Sequence, residues 1–211
     1  MRHLFVLCVL LTFALPAFSQ KWEFGAVGGW GFYSNRNVTG GTGTAEAGFA
    51  GGPAAGVFLG NNMYRYLGGE LRYEYQQNDL QVSSGATKFN FQGRAHAIHY
   101  DVLFHLTPVG SRIRPFVAAG GGVKIYQGTG TEAAVQPLNS YAILTKTNQT
   151  TGLVSVGGGL KIAASSHVSL RLEVRDFITP FPTNVVTPVP PAKISGWLHN
   201  ILTMAGLSYT W

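Results

Sequence analysis

Charge is what this chain has least of: Asp, Glu, Lys and Arg together make up 11% of its 211 residues, less than half of the roughly one quarter usual in soluble domains. A surface facing water needs more than that. Cysteine is nearly missing as well. Cys8 is the single one, placed inside an apolar run and not at its end, where a lipidated cysteine would stand. Loss of that run would leave no disulfide and no thiol chemistry. Beyond residue 15 no segment approaches the about 20 apolar residues of a spanning helix. Although the formal net charge is +6, Lys and Arg form no run, which argues against a nucleic-acid partner for an exported chain. The segments Gly120-Gly121-Gly122-Val123-Lys124 and Gly157-Gly158-Gly159-Leu160-Lys161 lack the Gly-Lys-Ser/Thr ending and the helix of a phosphate loop. Their glycines are expected to admit strong curvature and to leave room for long neighbours. Nothing implies a cofactor, and His99 with Asp101 is too few ligands for a metal.

What is present begins with Arg2, an apolar run over residues 4–15, Pro16 and the small-x-small pattern Ala17-Phe18-Ser19. This reads as a secretory signal peptide over residues 1–19, leaving residues 20–211 as one domain. Loss of Arg2 lowers the charge by one, and the remaining basic balance suits an anionic neighbourhood.

The mature chain alternates. Trp22, Phe24, Ala26, Gly28, Trp30 and Phe32 share one parity, with Glu23, Gly25, Val27, Gly29, Gly31 and Tyr33 on the other; period two over a dozen residues means strand. Further strands are expected over residues 52–60, 66–76, 97–106, 114–126, 152–163 and 167–178, with a closing strand ending at Trp211. The clearest sets Leu67, Gly69, Leu71, Tyr73 and Tyr75 against Gly68, Glu70, Arg72, Glu74 and Gln76. Between strands, short turns at Asn61-Asn62, residues 107–112 and 164–166 alternate with long soft loops over residues 34–50, 78–92, 127–150 and 179–199, the last rich in proline. Such asymmetry distinguishes the two sides of a membrane. Short turns belong in the periplasm and long loops outside. Closure of the last strand on the first is required, because an open edge would leave backbone groups unpaired in hydrocarbon at several kcal/mol each.

The closing segment, Thr203-Met204-Ala205-Gly206-Leu207-Ser208-Tyr209-Thr210-Trp211, resembles the sorting signal of bacterial outer-membrane barrels, with Leu207, Tyr209 and Trp211 as its carriers; Trp replaces the usual Phe. Together with the eight alternating segments and unequal loops, it makes the mature chain similar to the small eight-stranded outer-membrane barrel family, exemplified by the transmembrane domain of outer membrane protein A. The resemblance implies an all-β, eight-stranded antiparallel up-and-down transmembrane barrel in the bacterial cell outer membrane. It further implies contact with lipid and lipopolysaccharide, delivery by the barrel-assembly machinery through the last strand, and a monomer. No peptidoglycan-binding segment is expected after Trp211, so a wall-tethering role is not carried over.

The polar parity supplies Glu70, Arg72, Glu74, His99, Asp101, Lys124, Lys161, Arg171, Glu173 and Arg175, all expected to point into the lumen. Facing lipid, each charge would cost roughly 2–4 kcal/mol at midplane; inside, it can be paired. An eight-stranded bore is just wide enough for side chains, so this set is read as a plug of ion pairs. The alternative is a narrow gated pore in which Glu70 exchanges partners between Arg171 and Arg175. An enzymatic reading rests on His167-Val168-Ser169, whose spacing would place a base and a nucleophile on one strand face, though beside a short turn and without the rest of a lipid A deacylase pattern. Trp22, Tyr64, Tyr66, Tyr209 and Trp211 are expected in a periplasmic aromatic girdle, and Trp30, Phe32, Tyr75 and Tyr126 near the outer rim. A secreted lipocalin-like barrel would also alternate. Ionisable groups on one parity and aromatics at the ends of the other favour the membrane form. The expected role is non-enzymatic, structural or adhesive, through long loops carrying few charges (Arg36, Glu46, Asp79, Lys88, Glu132, Lys146, Lys193).

Overall fold

The computed structural model describes residues 22–40 and 43–211; the expected signal peptide lies outside them. Alternation becomes strand throughout. In chain order the elements are β1 (Trp22–Tyr33), β2 (Arg36–Val38), β3 (Ala45–Phe49), β4 (Gly52–Asn61), β5 (Leu67–Gln77), β6 (Leu80–Ser84), β7 (Thr87–Phe91) and β8 (Gly93–His105). There follow β9 (Ile113–Gly128), β10 (Ala142–Leu144), β11 (Asn148–Ala163), β12 (Val168–Pro180), β13 (Val186–Pro188) and β14 (Trp197–Thr210).

Eight of these close a barrel in the order β1-β14-β12-β11-β9-β8-β5-β4. Every ladder is antiparallel, and the closing pair runs from Glu23 opposite Thr210 to Tyr33 opposite Asn200. Trp22 and Trp211 exchange both backbone hydrogen bonds, at 3.1 and 3.0 Å, so the seam is paired to its end and no edge remains for hydrocarbon to meet. The outward parity is apolar: Leu71, Val102, Phe104, Val117, Val174 and Leu207 are all exposed. The expected girdle residues Trp22, Tyr64, Tyr66, Trp30, Phe32, Tyr209 and Trp211 are exposed too. Tyr126 is a correction. It is fully buried, because it shares the inward parity of Lys124 on β9.

The long connections differ most from expectation. They are not soft loops. β2, β3, β6 and β7 form a four-stranded sheet in the order β2-β3-β6-β7, and β10 pairs with β13. Their inward faces bury one apolar cluster drawn from all four connections, including Val38, Phe49, Leu80, Phe91, Leu144, Phe181, Val186 and Ile194, and it continues onto Ala95, Tyr126 and Leu198 at the barrel mouth. The barrel strands also run further outward than the loop boundaries anticipated, with β9 reaching Gly128, β11 starting at Asn148 and β14 at Trp197. The physical reason is that each connection is too short to hold a core, but four of them facing inward over the mouth bury enough apolar surface together.

Charges that looked like free loop decoration fasten this cap. Arg36 donates to the Trp197 carbonyl, Glu46 accepts from Asn35 Nδ2 at 3.0 Å, and Glu132 Oε1 accepts from the Lys146 amide at 2.6 Å.

Candidate functional site

All ten expected lumen residues are buried, none more than 5% exposed. Inward glycines make room for them. In cross-strand register, Gly60 faces Glu70 and Gly56 faces Glu74, Gly120 faces Asp101 and Gly122 faces His99, and Gly157 and Gly159 face Arg175 and Glu173. A Cβ on Gly159 would lie 2.2 Å from the Leu172 carbonyl oxygen and 2.9 Å from Glu173 Cβ. The two glycine-rich runs therefore serve packing, as the missing phosphate-loop ending suggested.

Two carboxylates are the hubs. Arg171 donates to both oxygens of Glu70, at 2.6 and 2.7 Å, a bidentate fork of the strong kind. Glu70 also receives Lys161 Nζ at 3.2 Å and Arg72 Nη1 at 3.1 Å. Glu173 takes Arg72 Nη2 at 2.5 Å, Arg171 Nε at 2.8 Å and Arg175 Nη2 at 3.4 Å. Arg72 also holds Glu74 at 2.8 Å, and Arg175 pairs with Asp101. Since β5 and β12 stand on opposite sides of the eight-stranded ring, the Glu70–Arg171 and Arg72–Glu173 contacts cross the bore. Phe58 and Phe116 flank the Arg171 guanidinium at 4.4 and 4.7 Å from their centroids. His99 Nδ1 lies 3.0 Å from Asp101 Oδ1, a hydrogen-bonded pair inside the lumen. No group of three or more His, Cys, Asp and Glu residues is placed to hold a metal among the described residues.

Nearer the cap the chemistry changes. Lys124 makes no ion pair within 4 Å among the described residues; its Nζ donates to Asn200 Oδ1 at 2.6 Å, Gln76 Oε1 at 3.1 Å and the Tyr33 hydroxyl at 3.2 Å. The rings of Tyr33, Tyr126 and Phe177 stand 4.9, 5.0 and 5.6 Å from it. A desolvated cation is stabilised by about 2 kcal/mol on an aromatic face, which suits a lysine at the boundary between plug and apolar cap.

Parity also carried residues that the sequence reading passed over. Glu23 on β1 is buried and accepts from Lys161 Nζ at 2.7 Å. Gln76, His105, Arg114 and Asn200 are buried on the lumen side as well. Each lies on the inward parity of its strand, and that was the available signal.

The His167–Ser169 pair does not assemble. β12 starts at Val168, which leaves His167 in the turn with its ring stacked on outward-facing Tyr209, centroids 5.7 Å apart, and its Nδ1 2.8 Å from Ser166 Oγ. Ser169 lies on the lumen parity opposite Ser208. A base and nucleophile need hydrogen-bond reach, and no hydrogen bond joins these two among the described residues.

Known proteins place this geometry in a family. The chain matches the outer membrane protein β-barrel domain model over residues 5–185. No curated protein matches it. Among solved structures, outer membrane protein OprG of Pseudomonas aeruginosa superposes with a TM-score of 0.57 at 13% identity, covering 90% of this chain and 95% of that one. Neisserial surface protein A gives 0.53 at 11% identity, covering 90% and 97%; identities this low speak for the fold alone. With the family model spanning most of its length and an apolar-outside, charged-inside closed barrel, the chain belongs to the outer membrane protein β-barrel domain family and resides in the outer membrane.

Proposed function

We propose that this is a non-enzymatic, non-conducting surface barrel that presents a folded four-connection cap outside the cell. The supporting observation is closure at two levels: the Glu70–Arg171 and Arg72–Glu173 pairs cross the bore, and one apolar cluster from all four connections sits over the mouth. Ion passage would require both to open. Within this reading Leu207, Tyr209 and Trp211 are the strand face read by the assembly machinery. The apolar outward parity meets lipid and lipopolysaccharide, residues 1–19 are removed on export, and the barrel works as a monomer. A cap with its own core offers a shaped surface for structural or adhesive contact, where soft loops would offer a disordered one.

A gated pore is the second reading, favoured by one feature: Glu70 and Glu173 each have three cations within hydrogen-bond distance, so partners could exchange without leaving a charge bare. Conductance of the refolded mature protein in a planar bilayer separates the two. Silence from protein whose insertion is verified by its heat-dependent gel shift supports the closed barrel. Discrete channels altered by Glu70→Ala or Arg171→Ala would establish the pore.

A further inference from the structure

The cap sheet β2-β3-β6-β7 has two edges, and the chain treats them differently. At β2 the edge is covered: Thr39 and Lys193 exchange backbone hydrogen bonds at 2.9 and 2.7 Å, and Arg36 donates to the Trp197 carbonyl. β7 pairs with β6 alone. Where β7 meets the barrel its far side is closed, since the Thr129 and Gly130 amides donate to the Gln92 carbonyl at 2.8 and 3.2 Å. Beyond that point, among the described residues, no backbone hydrogen bond reaches Thr87–Phe91 from the side away from β6.

The register says which groups are left over. Gly85 and Ala86 form a two-residue turn, with Gly85 at φ +56°. In such a hairpin the flanking residues, here Ser84 and Thr87, are a hydrogen-bonded pair. Alternation along the ladder then turns the N–H and C=O of Lys88 and Asn90 away from β6. A row of unpaired donors and acceptors on a sheet edge is a template for another strand.

The side chains of both faces stop at the same place. On the inner face, Ala47, Val82 and Phe89 stand side by side, and Phe89 is only partly buried although it packs on the cap core. On the outer face the row is Glu46, Ser83 and Lys88. It ends in an exposed cation, with Ser83 between Lys88 and the carboxylate of Glu46.

We infer that the free edge of β7 docks an extended segment of a partner polypeptide, which joins the cap sheet as a fifth strand and alternates apolar with acidic residues. Backbone bonds to Lys88 and Asn90 supply the pairing. Apolar side chains beside Phe89 complete the inner row, and a carboxylate beside Lys88 completes the outer one. A strand that set a cation opposite Lys88 is rejected. This names a partner class for the surface role proposed above and rests on that role's folded cap.

The test uses the refolded mature protein in lipid nanodiscs and a fluorescently labelled short peptide alternating Val and Glu. A control of the same sequence, N-methylated throughout, keeps the charge and loses every backbone donor. Fluorescence anisotropy should show saturable binding of the first peptide and binding roughly tenfold or more weaker for the control. Asn90→Pro should weaken binding to a similar extent, because it removes an outward N–H and leaves the β6–β7 ladder intact. Lys88→Glu should reverse the preference, favouring a peptide with Lys in place of Glu. The heat-dependent gel shift and hydrogen exchange over β6 confirm that each variant is folded. No binding, or equal binding of the methylated control, or binding unchanged in Asn90→Pro, overturns the site. A concentration-dependent dimer lost in Asn90→Pro, without peptide binding, assigns the edge to a second copy and overturns it too. Protected β6 amides in those cases leave the folded cap standing, whereas β6 amides that exchange as free peptide remove the cap and the edge together.

Discussion

The barrel lumen and the cap bury side chains by opposite rules, although one chain builds both. Inside the barrel the core is centred on ions: Arg72, Arg171, Arg175, Glu70, Glu74 and Glu173 meet across the bore, with smaller apolar groups such as Phe58, Phe177 and Leu202, and Leu103 with Phe116, packed around them, and the outer wall is apolar. In the cap, which stands in water, the core is Phe49, Leu80, Val82, Phe91, Leu144 and Val186. The difference follows from solvent. Hydrocarbon outside the barrel already accommodates apolar residues, so the lumen receives the polar ones and must pair them. Water outside the cap restores the hydrophobic effect, and each short strand turns its apolar parity inward.

If that contrast is correct, the largest loss should come from breaking the ionic core. Arg171→Ala removes the bidentate partner of Glu70 and one of the three cations on Glu173 and is expected to cost about 3–5 kcal/mol in urea unfolding from lipid vesicles; the double variant Glu70→Ala with Arg171→Ala should recover part of it. Gly159→Ala tests whether the lumen is full. Its Cβ would meet the Leu172 carbonyl at 2.2 Å, and overpacking of this kind is expected to cost about 1–3 kcal/mol. Leu80→Ala, fully buried in the cap, is expected to cost about 2–4 kcal/mol, but to loosen the cap alone: loop amides should exchange faster while the heat-dependent gel shift of the barrel stays unchanged. The smallest effect is at the rim, where His199 and Asp176 pair at 2.7 Å with partly exposed side chains. Asp176→Asn should change unfolding by roughly 0.5 kcal/mol or less.

The two regions were also unequally legible in the sequence. Barrel strands were readable because each supplies ten or more alternating residues, and parity alone sent the ten charged and polar residues inward. Parity equally marked Glu23 and Arg114, but each is isolated on its stretch, among glycines or apolar residues, and neither stood out as a charged pattern. Tyr126 was assigned to the girdle on residue type when its parity with Lys124 placed it inside. The cap was harder. β2, β10 and β13 are three residues each, too short for period two to show. Ala45, Ala47 and Phe49 on β3 and Leu80 and Val82 on β6 do alternate, but what they pack against comes from other connections, which a local reading cannot join. The ion pairs across the bore are non-local in the same sense: Arg72 and Glu173 lie 101 residues apart, and only barrel closure brings them together.

The most direct test of a closed barrel presenting a folded cap is hydrogen exchange of the membrane-inserted protein, read by mass spectrometry over β3 and β6. These strands pair from Glu46 opposite Ser83 to Phe49 opposite Leu80. The account predicts that their amides are protected well beyond unstructured chain, persisting when the barrel strands persist. Exchange at the rate of free peptide would show the long connections to be soft after all, and would remove the shaped surface on which the proposed role depends.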